Sequence, residues 1–346
     1  RQDIRRTSFT IIQHRQATSA CQGRGGLVLQ RRLGKLDGGM VRRELSLRKA
    51  FEVCLELAQA HYGDQRPPKK RGHPWIYPWS LYLALLLFRA YMGTTYRRTV
   101  VLYRDLFPGR PCPSFQSLHR FAKRVSIQEL KDLQAQLKKR LLPFLPKGES
   151  ALLILDSTGL PCRSKRQKLR WRRGREVRIV RGHSRLCCLM RYFPERKLIV
   201  VEGVAVGPAY ASDTRLGQEA LAQLEDSGPL LADAGFDGGE VWAKVEEKGL
   251  EPHIPLKGGG EVRDERRKKA KQVFSSALYR LRAVGEGLFG ALKTRLACGF
   301  LQETSPLMAQ KRALLEAVAY NLRVFLTLSL PLPWILRVFF LRLLDQ

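Results

Sequence analysis

The apolar pattern of this chain changes period once, at Ala151, and that change dictates its fold class. Before it, apolar residues recur at helical intervals. Leu47, Phe51, Cys54, Leu55 and Ala58 mark one helix ending near Gly63; 79–91 and 96–106 mark two more. A turn rich in Pro and Gly at 108–113 leads to a short helix from Ser114, a good N-cap, and 127–142 closes the region. From Ala151, the run Ala-Leu-Leu-Ile-Leu entering Asp156 reads as a strand. Strands follow at 187–192 and 198–206, joined by the turn Pro194-Glu195-Arg196, then a helix at 213–225 and a short strand at 228–232. A helix at 239–248, a strand at 253–256 and a basic loop at 257–271 precede a last helix, 279–293. Three strands, helix, strand, helix, strand, helix is the order of an α/β mixed sheet with helices on both faces.

Charge narrows the partners. Lys and Arg number 62 against 31 Asp and Glu, a formal net charge of +31. That surplus repels itself in a compact state unless a polyanion neutralises it, which points to nucleic acid. The seven cysteines include no CxxC pair, the six histidines no metal-binding spacing, and the cysteines read as buried small residues in a reducing compartment. The apolar runs 82–88 and 322–344 are too short or too interrupted to span a bilayer, and no signal peptide is visible, so a soluble, intracellular protein without membrane partners is expected.

Four regions are expected: a basic, disordered extension at 1–39, a helical region at 40–146, a catalytic domain at 151–325 and a C-terminal helical tail at 326–346. In the helix from Ser114, Phe115, Leu118, Ala122 and Val125 face inward. Gln116, Ser117, His119, Arg120, Lys123 and Arg124 remain outside, the arrangement of a helix-turn-helix reader of DNA, with Gln116, Arg120 and Lys123 as candidate contacts.

The last helix carries a second face. Its apolar stripe is Leu278, Leu281, Val284, Leu288, Leu292 and Leu296; beside it Tyr279, Arg282, Glu286 and Lys293 align at steps of three, four and seven. A carboxylate flanked by cations suits a metal ion lying beside a phosphate backbone. Asp156 ends the first strand, Asp233 the fourth, and Glu286 lies on this helix, so their carboxylates converge if those strands are neighbours. An all-oxygen set favours Mg2+ or Mn2+, and a pair of such ions serves phosphoryl transfer. Asp237 and Asp213 compete for the second position; Asp213 reads as a helix cap and Asp237 lies past the strand end. Gly285, Gly287 and Gly290 weaken the helix, which calls for close approach of a DNA backbone or a local irregularity. The basic runs 163–181 and 263–271 flank the site and would track DNA.

Together these motifs resemble those of the DDE transposases of bacterial insertion sequences. Leu-Asp-Ser-Thr-Gly around Asp156 resembles their first motif and Ala-Asp-Ala-Gly-Phe-Asp around Asp233 their second. The Tyr-x2-Arg-x3-Glu-x6-Lys signature at Tyr279, Arg282, Glu286 and Lys293 resembles their third, and the likeness covers about 151–325. It implies a ribonuclease H-like catalytic domain behind a helical DNA-binding region, and DNA cutting and joining at element ends. Asp156, Asp233 and Glu286 would hold two Mg2+ or Mn2+ ions; Arg282 and Lys293 would contact phosphates or flanking DNA, and Tyr279 would pack or stack on DNA. Double-stranded DNA from element ends and target, a homodimer or higher oligomer on that DNA, and a cytoplasmic, nucleoid-associated setting are the implied context. Two readings stay open beside it: a ribonuclease H-like nuclease or resolvase, and a DNA-binding transposase remnant without catalysis.

Overall fold

The structure, a computed structural model, describes residues 47–63, 65, 77–162, 167–170, 177–180, 183–258, 264–296 and 300–329. Expectations for 1–39, most of the basic run 163–181, and the tail from 330 onward lie outside the described residues.

Five helices come first: α1 (Leu47–Tyr62), α2 (Trp79–Met92), α3 (Tyr96–Leu106), α4 (Phe115–Arg124) and α5 (Ile127–Leu141). Their starts follow from side chains that satisfy the free N–H groups of a first turn. Thr95 accepts from the Arg98 N–H and Ser114 from the Ser117 N–H, while Ser126 and Glu129 form a reciprocal capping box. Gly93 ends α2 at φ 62, a conformation that favours glycine. Rings fill the space between the helices, Phe51 lying 5.5 Å from Phe88 and 4.9 Å from Tyr103, with Tyr82 stacked on Phe121 at 5.2 Å.

The sheet contains β1 (Leu152–Pro161), β4 (His183–Phe193), β5 (Leu198–Pro208), β6 (Pro229–Ala232) and β7 (Glu251–His253), in the spatial order β5-β4-β1-β6-β7. The first three strands pair antiparallel; β6 joins β1 and β7 joins β6 in parallel. Two short strands, β2 (Gln167–Arg170) and β3 (Val177–Val180), form a separate hairpin within the basic run, which the sequence pattern did not foretell. Later helices are α6 (Asp213–Leu221), α7 (Gly239–Glu247), α8 (Glu265–Val273), α9 (Ser276–Arg280), α10 (Val284–Thr294) and α11 (Pro306–Ser329). The expected loop 257–271 thus gives way to α8 from Glu265 onward, and the expected strand at 253–256 forms slightly earlier.

Side-chain alternation along β1 sorts the two faces. Leu153 and Leu155 join Cys187, Leu189, Leu216, Phe236 and Trp242 in a core beneath α6 and α7. Ile154 points the other way, toward α10, where Gly285 packs against it and against Met190. On that same side α11 crosses the sheet, Asn321 giving and taking hydrogen bonds with the Val201 backbone at 2.8 and 2.9 Å. Arg323 of α11 reaches the other way, donating to the α2 carbonyls of Ala90 and Tyr91 at 3.2 and 2.6 Å. It thereby adds a donor to carbonyls at the C-terminal end of α2, where the helix runs short of its own N–H groups. The helix runs unbroken past residue 325. The architecture is an α/β, ribonuclease H-like mixed sheet with flanking helices, behind a helical N-terminal region.

Candidate active site

Strand register brings the two aspartates side by side. The parallel ladder between β1 and β6 stops at Leu155 opposite Ala232, so Asp156 and Asp233 are the next residue on each strand. Asp156 does not end its strand, as the sequence suggested; β1 runs on to Pro161, paired with β4 alone. What ends there is β6, and β1 is left without that neighbour beside Asp156. Alternation then aims Asp156 at the α10 side and Ser157 at the α6 side.

The segment 279–293 is not one regular α-helix. α9 tightens into a 3-10 turn at Leu281–Ala283 before α10 begins. Arg282 lies in that turn, its Nη1 donating to Asp156 Oδ2 at 3.1 Å and its Nη2 standing 3.7 Å from Glu286 Oε1. Glu286 and Lys293 are exposed on the same face. Tyr279 is half-buried, 5.6 Å from the Phe274 ring, with the Arg282 guanidinium 5.9 Å from its own ring centre. The three glycines divide by role. A Cβ at Gly285 would come within 3.1 Å of Ile154 and of Met190, so this glycine lets α10 sit close to the sheet. Gly287 and Gly290 would meet nothing within 4 Å and leave the face around Glu286 bare.

Burial raises the pKa of the Asp156 carboxyl; the Ser157 N–H and Arg282 oppose the rise, while the charges of Asp233 and Glu286 add to it. Asp233 accepts the Gly235 N–H at 2.7 Å. A Cβ on Gly235 would meet Asp233 Oδ1 at 2.6 Å and Asp213 Oδ2 at 3.4 Å, so both carboxylates border that glycine. Asp237 is committed elsewhere, to Trp242 Nε1, Arg267 Nη2 and the Lys257 N–H. Burial works against its charge, yet those donors hold its carboxyl below the usual range.

Asp213 requires a correction. Ser212, not Asp213, caps α6. Asp213 instead accepts the Ser157 hydroxyl at 2.5 Å and pairs with Arg185 at 3.1 Å, which ties it to the residue following Asp156. The pair Ser212-Asp213 carried the signal, since only one of two adjacent capping residues can cap.

The donor chemistry of Asp156, Asp233 and Glu286 suits a hard divalent cation. Their present arrangement is not a closed ligand set. Among the described residues no group of three or more His, Cys, Asp or Glu is gathered as a metal site. The positive group between Asp156 and Glu286 is the Arg282 guanidinium.

On α4, Gln116, Arg120 and Lys123 are all exposed and spaced to share one face, while Leu118, Phe121 and Ala122 are buried. The connection from α3, Phe107 to Ser114, is longer than the compact turn of most helix-turn-helix units. Part of the basic stretch after β7 is structural: Arg267 pairs with Asp237 at 2.6 Å and Arg266 with Glu246 at 2.9 Å. Among the described residues no helix is long and apolar enough to cross a membrane.

Residues 147–322, about half of the chain, match the sequence profile of the family described as "Transposase DDE domain". An uncharacterized protein of Aquifex aeolicus (strain VF5) is 27% identical over 222 residues, 64% of this chain. The aligned stretch spans 66% of that relative, just under two thirds of its length. No solved structure matches.

Proposed function

The chain belongs to the transposase DDE domain family, and from that premise we propose that it cuts DNA at the ends of an insertion sequence and joins the freed strands to target DNA. The observation that carries the proposal is the meeting of Asp156, Asp233 and the α9–α10 segment at the point where β6 ends, with Arg282 reaching both Asp156 and Glu286.

Asp156, Asp233 and Glu286 are the residues that would hold Mg2+ or Mn2+, two ions in this reading, which would polarise the scissile phosphate and activate the attacking oxygen. The chain's own groups do the rest. Arg282 keeps the buried Asp156 carboxylate partly neutralised, with Glu286 near the other end of the same guanidinium, until DNA arrives. Arg282 and Lys293 then offer positive charge to phosphates, and the bare strip at Gly287 and Gly290 admits a backbone to the helix. Tyr279, braced by Phe274, packs beside that path. The α4 face at Gln116, Arg120 and Lys123 would read or hold the element end, and the signature at Tyr279, Arg282, Glu286 and Lys293 would set the subgroup. A homodimer or higher oligomer would bring two ends together near the nucleoid.

The deciding measurement incubates purified protein with Mg2+ and an element-end duplex and resolves the products on a gel. Nicks and joined strand-transfer products are both expected. Asp156→Asn should abolish both while leaving DNA binding largely intact. Nicks without joined product, with the ends bound, would identify a nuclease instead.

A further inference from the structure

Tyr210 has no role in the reading above, and it is the most exposed of the large hydrophobic side chains among the described residues, at 76%. A lone exposed apolar side chain is ordinary. Its mounting and its position are not. Its neighbours Ala209 and Ala211 are both buried, and the Ala211 N–H closes a turn onto the Pro208 carbonyl at 2.9 Å. Arg185 locks the same turn, Nη1 donating to the Ala211 carbonyl at 3.1 Å while Nη2 pairs with Asp213 at 3.1 Å. Only the Tyr210 side chain projects, and it makes no hydrogen bond or ring contact among the described residues.

The position follows from the same contacts. Asp213 accepts the Ser157 hydroxyl, and the Ser157 N–H donates to Asp156 Oδ1 at 2.8 Å. The loop that presents Tyr210 is therefore tied, through Arg185, Asp213 and Ser157, to the carboxylate at the centre of the candidate site.

We propose that Tyr210 is a stacking platform for an unpaired nucleobase at the edge of that site, an inference that rests on the DNA chemistry proposed above. A tyrosine side chain on a fixed backbone turn has only two torsions to lose on binding, and the face of its ring accepts any base. Within a duplex each base is covered by its neighbours, so the ligand is a base freed from pairing, as at an opened or cut strand end. Arg185, about a third exposed, lies beside the ring's loop to meet the adjoining phosphate.

Two DNAs test this: a fully paired duplex, and the same duplex with unpaired thymines at one end. The native protein should prefer the second. Tyr210→Ala should lose roughly tenfold in affinity for the unpaired end and nothing on the paired duplex, whereas Tyr210→Phe and Tyr210→Trp should keep the preference. The exposed side chain carries no core packing, so the Ala variant should melt like the native protein. Equal losses on both DNAs, or none, would overturn the stacking role. Native protein that binds both DNAs equally would remove this inference alone; native protein that binds neither would remove the DNA reading as well.

Discussion

Arg282 donates to Asp156 at 3.1 Å across 126 residues of chain while standing 3.7 Å from Glu286, four positions further along its own segment. The forked guanidinium reaches two carboxylates at once, which a lysine ammonium at the same position does not match. One cation thus connects the sheet-borne and helix-borne acids.

Removing that cation should weaken the fold as well as the chemistry. Arg282→Ala leaves the Asp156 carboxylate buried with one donor fewer, at a cost of about 1–3 kcal/mol in chemical denaturation. Arg282→Lys should recover part of the stability. The same Ala variant should flatten the salt dependence of DNA binding by about one phosphate contact. An unchanged denaturation midpoint would show that the contact contributes nothing to stability.

Asp156→Asn should abolish strand cleavage yet leave the protein as stable as the native chain, or more so, at neutral pH. The folded-state pKa of Asp156 is raised, first by burial. A raised carboxyl contributes stability that is complete below its unfolded pKa, near about 4, and is lost as pH rises through the folded value. The Asn variant lacks that loss. Its advantage should be largest at neutral pH and shrink toward zero below about pH 4; thermal melts of both proteins across that range measure it. A variant less stable at pH 7 than at pH 4, relative to native, would contradict the sign.

The glycines of α10 should respond in opposite ways. Gly290→Ala meets open space and should stabilise the helix by up to about 1 kcal/mol, while obstructing DNA beside Glu286 and lowering affinity. Gly285→Ala presses a methyl to 3.1 Å from Ile154 and Met190 and should gain little or lose stability. Melting and DNA titration of both variants separate packing from DNA approach. Equal stabilisation by both would deny the close contact with the sheet.

On α4, Arg120→Ala or Gln116→Ala should reduce the preference for element ends over random DNA by about 1–3 kcal/mol where the side chain reads a base. Lys123→Ala should weaken both DNAs alike. Uniform losses from all three would make this face a backbone contact only.

Much of this was readable from residue order. The period change at Ala151 separated helices from sheet, Ser114 announced the cap of α4, and α3 formed at 96–106 as its pattern implied. Such features are local: a cap or an apolar stripe is decided within one or two turns. The hairpin of β2 and β3 was hidden because each strand is only four residues long and lies within a run dominated by Lys and Arg, too short for its apolar residues to stand out as a strand pattern.

The sequence by itself determined which carboxylates were available, on which elements, and that their donor chemistry is all oxygen. Tertiary structure alone decided their relations. The register Leu155 opposite Ala232 makes neighbours of Asp156 and Asp233, the tight turn at 281–283 carries the arginine that reaches Asp156, and the proximity of Ser157 turns Asp213 from an apparent cap into part of the surroundings of the site. Those contacts join residues 56 and 126 positions apart. Side-chain period states which face a residue takes but not what lies opposite it, because the partner comes from a distant strand or helix whose place is fixed only when the whole sheet packs.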